Sequence, residues 1–264
     1  MPGWAASSWY FLRFMDPQNP NTFADKEKMN YWNQVDLYIG GSEHSTGHLL
    51  YSRFWCNFLF DRGFVPFREP FKKMINQGMI QGVSAFIHRL NDTHLYISAD
   101  CVNGRSTQRI PVDINLVNEK NELDLNGFKN WLPEFNNANF ELQNGIIHVD
   151  REVEKMSKSK YNVISPDSIC DQYGADALRL YEMFLGPLKQ SKPWDTNGIS
   201  GIVNFLGKSY RLLEKKRSDI ETLNEKKTIH KLIDKVTRDM DSLSFNTSIS
   251  AMMIAVNELN AQES

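Results

Sequence analysis

The run Val35-Asp36-Leu37-Tyr38-Ile39-Gly40-Gly41-Ser42-Glu43-His44-Ser45-Thr46-Gly47-His48 sets the architecture of what surrounds it. Apolar and polar residues alternate through Ile39, the period of a half-buried strand, and Gly40-Gly41 stops the alternation. A helical period then takes over. Leu50, Phe54 and Phe58 recur at spacings of four, Tyr51, Trp55 and Leu59 lie beside them, and Gly63 followed by Pro66 supplies the stop. Strand, tight turn and helix form the unit of an α/β fold, and the helix is expected to be well buried. Ligands of open α/β sheets bind beyond the carboxyl ends of strands, where glycine lets the backbone come close and a carboxylate can accept from ribose hydroxyls. Glu43 is the candidate ribose acceptor at that place; the plainer reading is a Gly-Gly turn with Glu43 as a first-turn dipole partner.

Upstream, Trp4, Ser7 and Tyr10 recur every third residue and share one side, as ordinary core would. His44 and His48 lie four apart and invite a metal reading, but the zincin order needs a glutamate between the histidines and Glu43 precedes both. No metal site is expected. Downstream, from Val83 to about Val149, Ile110, Val112, Ile114 and Leu116 alternate with polar neighbours and Asn, Asp and Gly recur between short runs, which predicts a small β-rich insertion. Ser165-Pro166-Asp167 then reads as a capped helix start, and Gly186-Pro187 ends the following helical stretch.

Three helical stripes fill the last third: Ile199, Ile202, Val203, Leu206, Tyr210 and Leu213; then Ile229, Leu232, Ile233, Val236 and Met240; then Ile249, Met252, Met253, Val256 and Leu259. They predict the beginning of a helical bundle, and the third runs to Ser264 without a glycine or proline stop, as if the bundle continued. Gly201 to Ser209 imitates a phosphate loop with one residue too many between its glycines, and the helical stripe explains it.

The 264 residues are 41% hydrophobic and 23% charged, which excludes disorder and coiled coil. Cys56, Cys101 and Cys170 stand far apart, so neither a disulfide framework nor a thiolate zinc site is expected and a reducing, cytoplasmic setting is the default. The formal charge of -2 is silent on nucleic acid, which needs only a local basic patch. No apolar run approaches the roughly 18 residues of a membrane span, and no membrane partner is expected.

The sharpest short signal is Lys155-Met156-Ser157-Lys158-Ser159, with Lys160 behind it, where the β-rich region gives way to a capped helix. Lysine ammoniums are compact point charges; two of them three residues apart can meet the negative charge that grows on departing pyrophosphate, favouring the transition state over the substrate. The alternative is a solvated basic loop.

That pentapeptide resembles the second catalytic motif of class I aminoacyl-tRNA synthetases. With Trp4 to Arg13, Gly40 to His44 through His48-Leu49-Leu50-Tyr51, Gln77-Gly78-Met79, and Tyr173 to Arg179, the chain resembles an interior portion of the bacterial leucyl-tRNA synthetase family over nearly its whole length. The resemblance implies an α/β fold: the second half of a Rossmann-like catalytic domain in 1–82, connecting strands and a leucine-specific insertion in 83–154, the phosphate loop and its helices in 155–192, and the start of a helical anticodon-binding domain in 193–264. It implies that Trp4, Ser7, Tyr10 and His48 line the leucine pocket, that Gly40, Gly41, Glu43 and His44 hold the adenylate ribose, and that Gly78 and Met79 border adenine. Lys155 and Lys158 would be catalytic, in an ATP phosphate loop completed by Met156, Ser157 and Ser159. The implied partners are ATP with Mg2+ held by its phosphates, leucine and tRNA(Leu), the implied state a monomer, and the implied activity leucine–tRNA ligation.

Two departures stand out. The family's His-x-Gly-His motif is absent, His44 to His48 being one residue too long and in another block, so the chain is expected to hold one half-site, to lack the editing domain expected upstream of Met1, and to be inactive alone. Tyr161 stands where a glycine often follows the loop. Another class I synthetase (Ile, Val or Met), a non-catalytic tRNA-binding paralogue and a zinc hydrolase are the alternatives.

Overall fold

A computed structural model describes residues 3–215 and 222–261. The chain divides into two compact units, Met1–Met79 and Ile80–Ser264. The fold is mixed α/β.

In the first unit, α1 (Tyr10–Phe14) and α2 (Lys26–Trp32) precede two short parallel strands, β1 (Tyr38–Ile39) and β2 (Met74–Ile75), joined through α3 (Leu50–Asp61). The strand is shorter than the alternation predicts: Val35 forms only an isolated parallel bridge to Phe71. Between Gly41 and α3 the chain takes a 3-10 turn at Ser42–His44 and a π turn at Ser45–Leu49. Gly63, at φ +73°, ends the helix as expected. The core is Phe11, Leu12, Ala24, Met29, Cys56, Val65 and Phe67.

The expected burial of α3 is corrected. Leu50, Phe54 and Phe58 are 55%, 55% and 47% exposed, whereas Leu49, Ser52 and Cys56 face inward. A helix apolar on several sides can bury any of them, and here the inward face carries small residues: Ser52 Oγ donates to the His48 carbonyl at 2.8 Å and Cys56 Sγ to that of Phe67 at 3.4 Å.

The second unit is built on β3 (Ile80–Leu90). It pairs antiparallel with β4 (Leu95–Ile97), β5 (Thr107–Val112) and β7 (Asp150–Lys155), and parallel with β8 (Lys192–Pro193), while β6 (Asn139–Glu141) extends the sheet from β4. One core packs Ala85, Ile87, Tyr96 and Val112 against Phe128 of α4 (Leu125–Trp131) and Phe135. The alternation predicted from Ile110 to Leu116 breaks after Val112, because the Asp113 carboxylate accepts from the Asn115 N–H at 2.9 Å and turns Ile114–Leu116 into a 3-10 turn.

A second core joins α5 (Pro166–Tyr173), α6 (Ala175–Phe184), α7 (Ile199–Glu214) and α9 (Phe245–Ala261). Pro166 opens α5 as predicted, although the Ser165 side chain makes no cap bond, and Gly174 at φ +90° separates α5 from α6. The stripes of α7 and α9 are buried in part, at Ile199, Ile202 and Ile249. The stripe of α8 (Leu223–Asp241) is rotated from expectation: Ile229, Ile233 and Met240 are exposed and the buried residues are Thr228 and Asp239. Polar bonds set that rotation, Thr228 Oγ1 donating to Glu258 and Thr247 Oγ1 to Asp239, at 3.0 and 2.7 Å. The chain beyond Ala261 lies outside the described residues. No described helix is long and apolar enough to cross a membrane.

Candidate functional site

Because β1 and β2 are parallel, their carboxyl ends lie at the same edge, and Gly40-Gly41 follows one as Asn76 to Met79 follows the other. The Gly40 N–H donates to the Ile75 carbonyl at 3.1 Å and the His44 N–H to that of Gly41 at 3.2 Å. A Cβ on Gly40 would meet nothing within 4 Å, so the backbone stands open at Gly40, the position an open sheet offers to a ligand, while Gly41 is buried. The Glu43 side chain lies outside the described residues. Beside Gly78, Gln77 Oε1 is buried with no hydrogen-bond partner among the described residues.

Tyr10 and His48 meet at Tyr38, a residue with no motif of its own, while Trp4 stands beside Gly47 and Ser7 beside Trp4 and His48. The Tyr38 hydroxyl meets the Tyr10 hydroxyl at 2.9 Å and His48 Nε2 at 2.5 Å, while its ring stacks on Phe71 at 3.8 Å. The Tyr10 and His48 rings stack at 6.1 Å. The Trp4 ring lies 3.7 Å from where a Cβ on Gly47 would stand, and Ser7 Oγ donates to the Trp4 carbonyl at 3.1 Å. Burial, then the charge of His44, hold the His48 imidazole below its ordinary pKa, against an opposing bond to the Ser7 backbone. Burial and the Tyr10 hydroxyl push the Tyr38 phenol well above its usual range. Both shifts favour the neutral forms of His48 and Tyr38.

In the second unit the pentapeptide begins on the last residue of β7 and continues into a 3-10 turn at Lys158–Lys160. Met156 packs on the helical core beside Ile80 and Ile164. Lys155 and Lys158 are exposed and make no ion pair among the described residues. Lys160 differs, because its ammonium is bound to Glu154, and that bond followed by one from Ser84 holds the Glu154 carboxyl below its ordinary pKa. The loop returns through Tyr161, left-handed at φ 52°, whose ring meets Trp131 edge-on at 4.5 Å. Next comes Asn162, 1% exposed and bonded to three parts of the loop's base. Asn162, Ser84 and Glu154 carry no motif of their own, and the only hint in the sequence is the nearness of two of them to the lysines.

Among the described residues no three His, Cys, Asp or Glu side chains group as metal ligands. The three cysteines are free, and burial pushes the Cys56 thiol up to about 12, which makes it a core group rather than a nucleophile.

Comparison with known proteins bears on both units. The family described as tRNA synthetases class I (I, L, M and V) matches residues 138–194, from β6 through the lysine loop to β8. Leucine–tRNA ligase of Christiangramia forsetii is 55% identical over 100% of this chain, which covers 28% of that protein. Those of Flavobacterium johnsoniae and Flavobacterium psychrophilum are 56% and 57% identical over 99% of the chain, which again covers 28% of each. The chain thus spans just over a quarter of the length of these curated relatives. Among solved structures it is similar to LeuRS in the Agrobacterium radiobacter K84 LeuRS–tRNA–LeuAMS ternary complex, with a TM-score of 0.61 at 27% identity over 97% of this chain and 26% of that one.

Proposed function

We propose, for a chain that belongs along its whole length to the leucine–tRNA ligase family of class I aminoacyl-tRNA synthetases, that it supplies the phosphate loop and the nucleoside and leucine contacts of that reaction. In the first step the leucine carboxylate attacks the α-phosphorus of ATP in line and the bond to pyrophosphate breaks. In the second a terminal ribose hydroxyl of tRNA(Leu) attacks the leucyl carbonyl and AMP leaves. No protein group forms a covalent bond, so positioning and charge stabilisation carry the rate. Magnesium, held by the phosphates, supplies further charge neutralisation.

The carrying observation is the division of labour within the loop. Lys155 and Lys158 are exposed and unpaired among the described residues, free to meet an incoming polyphosphate, while Lys160 is committed to Glu154. Gly40, Gly41, Glu43 and His44 take the ribose and Gly78 and Met79 the adenine edge. Trp4, Ser7, Tyr10 and His48 form the leucine wall, for which a neutral His48 is suited because an apolar side chain gains nothing from a charge. Residues 193–264 begin the anticodon-binding helices, and the working enzyme is a cytoplasmic monomer.

The test places these 264 residues in the ligase of Flavobacterium johnsoniae, replacing the stretch they match. The chimera should exchange pyrophosphate into ATP only when leucine is present, not isoleucine, valine or methionine. Removing one preorganised donor from a developing anion costs about 100- to 1000-fold, and Lys158→Ala should slow exchange on that scale. Unchanged exchange in Lys158→Ala would remove the phosphate-loop role.

A further inference from the structure

Asn162 is one of the few polar side chains of the second unit that solvent does not reach, at 1% exposure. Its carboxamide is saturated. Nδ2 donates to Ser84 Oγ at 2.8 Å and to the Lys155 carbonyl at 3.3 Å, and Oδ1 accepts from the Ser157 N–H at 2.8 Å. Both amide hydrogens and the oxygen are used, and exchanging N for O would set donors against donors and acceptors against acceptors. The Lys155 carbonyl and the Ser157 amide flank Met156, so one buried group grips the loop backbone on both sides of its apolar plug. Ser84 passes the grip onward, donating to Glu154 Oε1 at 2.5 Å, and the other oxygen of Glu154 takes the Lys160 ammonium. Strand β3 is shaped to admit Asn162: a Cβ on Gly82 would stand 2.6 Å from the Asn162 carbonyl oxygen and 3.2 Å from its Cγ.

We propose that Asn162 is the positioning residue of the phosphate loop: it fixes the backbone from Lys155 to Ser157 so that the two free ammoniums are presented at a set spacing, while Lys160 serves the anchor rather than the phosphates. This rests on the ligase reading above. Buried amides satisfied at every atom hold their partners in one arrangement, and displacement of a catalytic group by about 1 Å costs roughly 100-fold.

Leucine-dependent exchange in the chimera, with ATP and leucine varied separately, tests the assignment. Asn162→Ala should lower kcat/KM for ATP by about 10- to 100-fold with KM for leucine within twofold of the parent. Ser84→Ala, which leaves the grip on Lys155 and Ser157, should lose less than about fivefold, and Lys160→Ala should fall far short of the loss in Lys158→Ala. A folded Asn162→Ala enzyme with unchanged ATP parameters, or one whose leucine and ATP parameters fall together with its folded fraction, overturns the proposal. Should the alanine variant not fold, Asn162→Asp, which keeps the shape and the acceptor for Ser157 but loses both donors, is read by the same criterion. Loss in Asn162→Ala without loss in Lys158→Ala, or a folded parent that does not exchange, instead overturns the ligase reading of the loop.

Discussion

Gly82→Ala offers the most direct probe of how tightly the loop is seated. The new methyl would lie 2.6 Å from the Asn162 carbonyl oxygen and 3.0 Å from Met156 Cγ. An ordinary C···O contact is about 3.3 Å or more, so the overlap is roughly 0.7 Å against backbone that belongs to the anchor itself. Overpacking of this kind costs about 1–3 kcal/mol, and relieving a strand glycine returns about 0.5–1 kcal/mol. At the middle of both ranges the net loss is about 1 kcal/mol, which corresponds to a melting temperature lower by roughly 2–4 °C for a unit of this size. Thermal unfolding followed by circular dichroism reads it, and hydrogen exchange at the Ser157 amide should quicken beyond the global change, because that N–H bonds to Asn162. Gly201→Ala in α7 is the counterpart: its Cβ meets nothing within 4 Å, so about 0.5–1 kcal/mol of stabilisation is expected. A Gly82→Ala protein that melts at or above the parent temperature, with Ser157 protected as before, would refute the seating argument.

Two further outcomes follow from single groups. Asp16 is held at a pKa of about 2, against 3.8 for an ordinary aspartate, by Lys28 first and then the Asn19 amide. A depressed folded pKa stabilises the protein above about pH 4 and the stabilisation disappears as pH falls toward 2, so Asp16→Asn should flatten acid unfolding across that window; an unchanged acid profile would show that the pairing contributes nothing. Tyr161 holds a left-handed backbone while its ring meets Trp131. Tyr161→Ala loses the ring and keeps the strain, whereas Tyr161→Gly loses both, so the glycine variant should be about 1–2 kcal/mol more stable than the alanine one by urea midpoint. Equal midpoints would mean that the left-handed turn carries no strain.

The lysine pentapeptide falls where the sequence locates it, between the β-rich region and the helix opened by Pro166, because a strand end and a proline at the first helical position are local signals. The parallel strands at Tyr38–Ile39 and Met74–Ile75 put Gly40 and Gly78 at one sheet edge, in keeping with the Gly-Gly turn. Which face of α3 is buried was not legible, since Leu50, Phe54 and Phe58 satisfy the helical period as well as Leu49, Ser52 and Cys56 do. The α8 stripe misleads for a related reason: periodicity registers apolar side chains, and the buried positions there are held by hydroxyl and carboxylate bonds to α9.

Short-range chemistry is written along the chain: the spelling of the lysine loop, the glycine turn after β1 and the helix starts each depend on neighbours a few residues apart. The arrangement that gives those residues partners is not. Tyr10 meets Tyr38 across 28 positions, and Asn162 meets Ser84 across 78. No period or local propensity encodes such pairs, because each forms only when separate elements have packed and a buried donor must find an acceptor from whichever segment the fold brings to it.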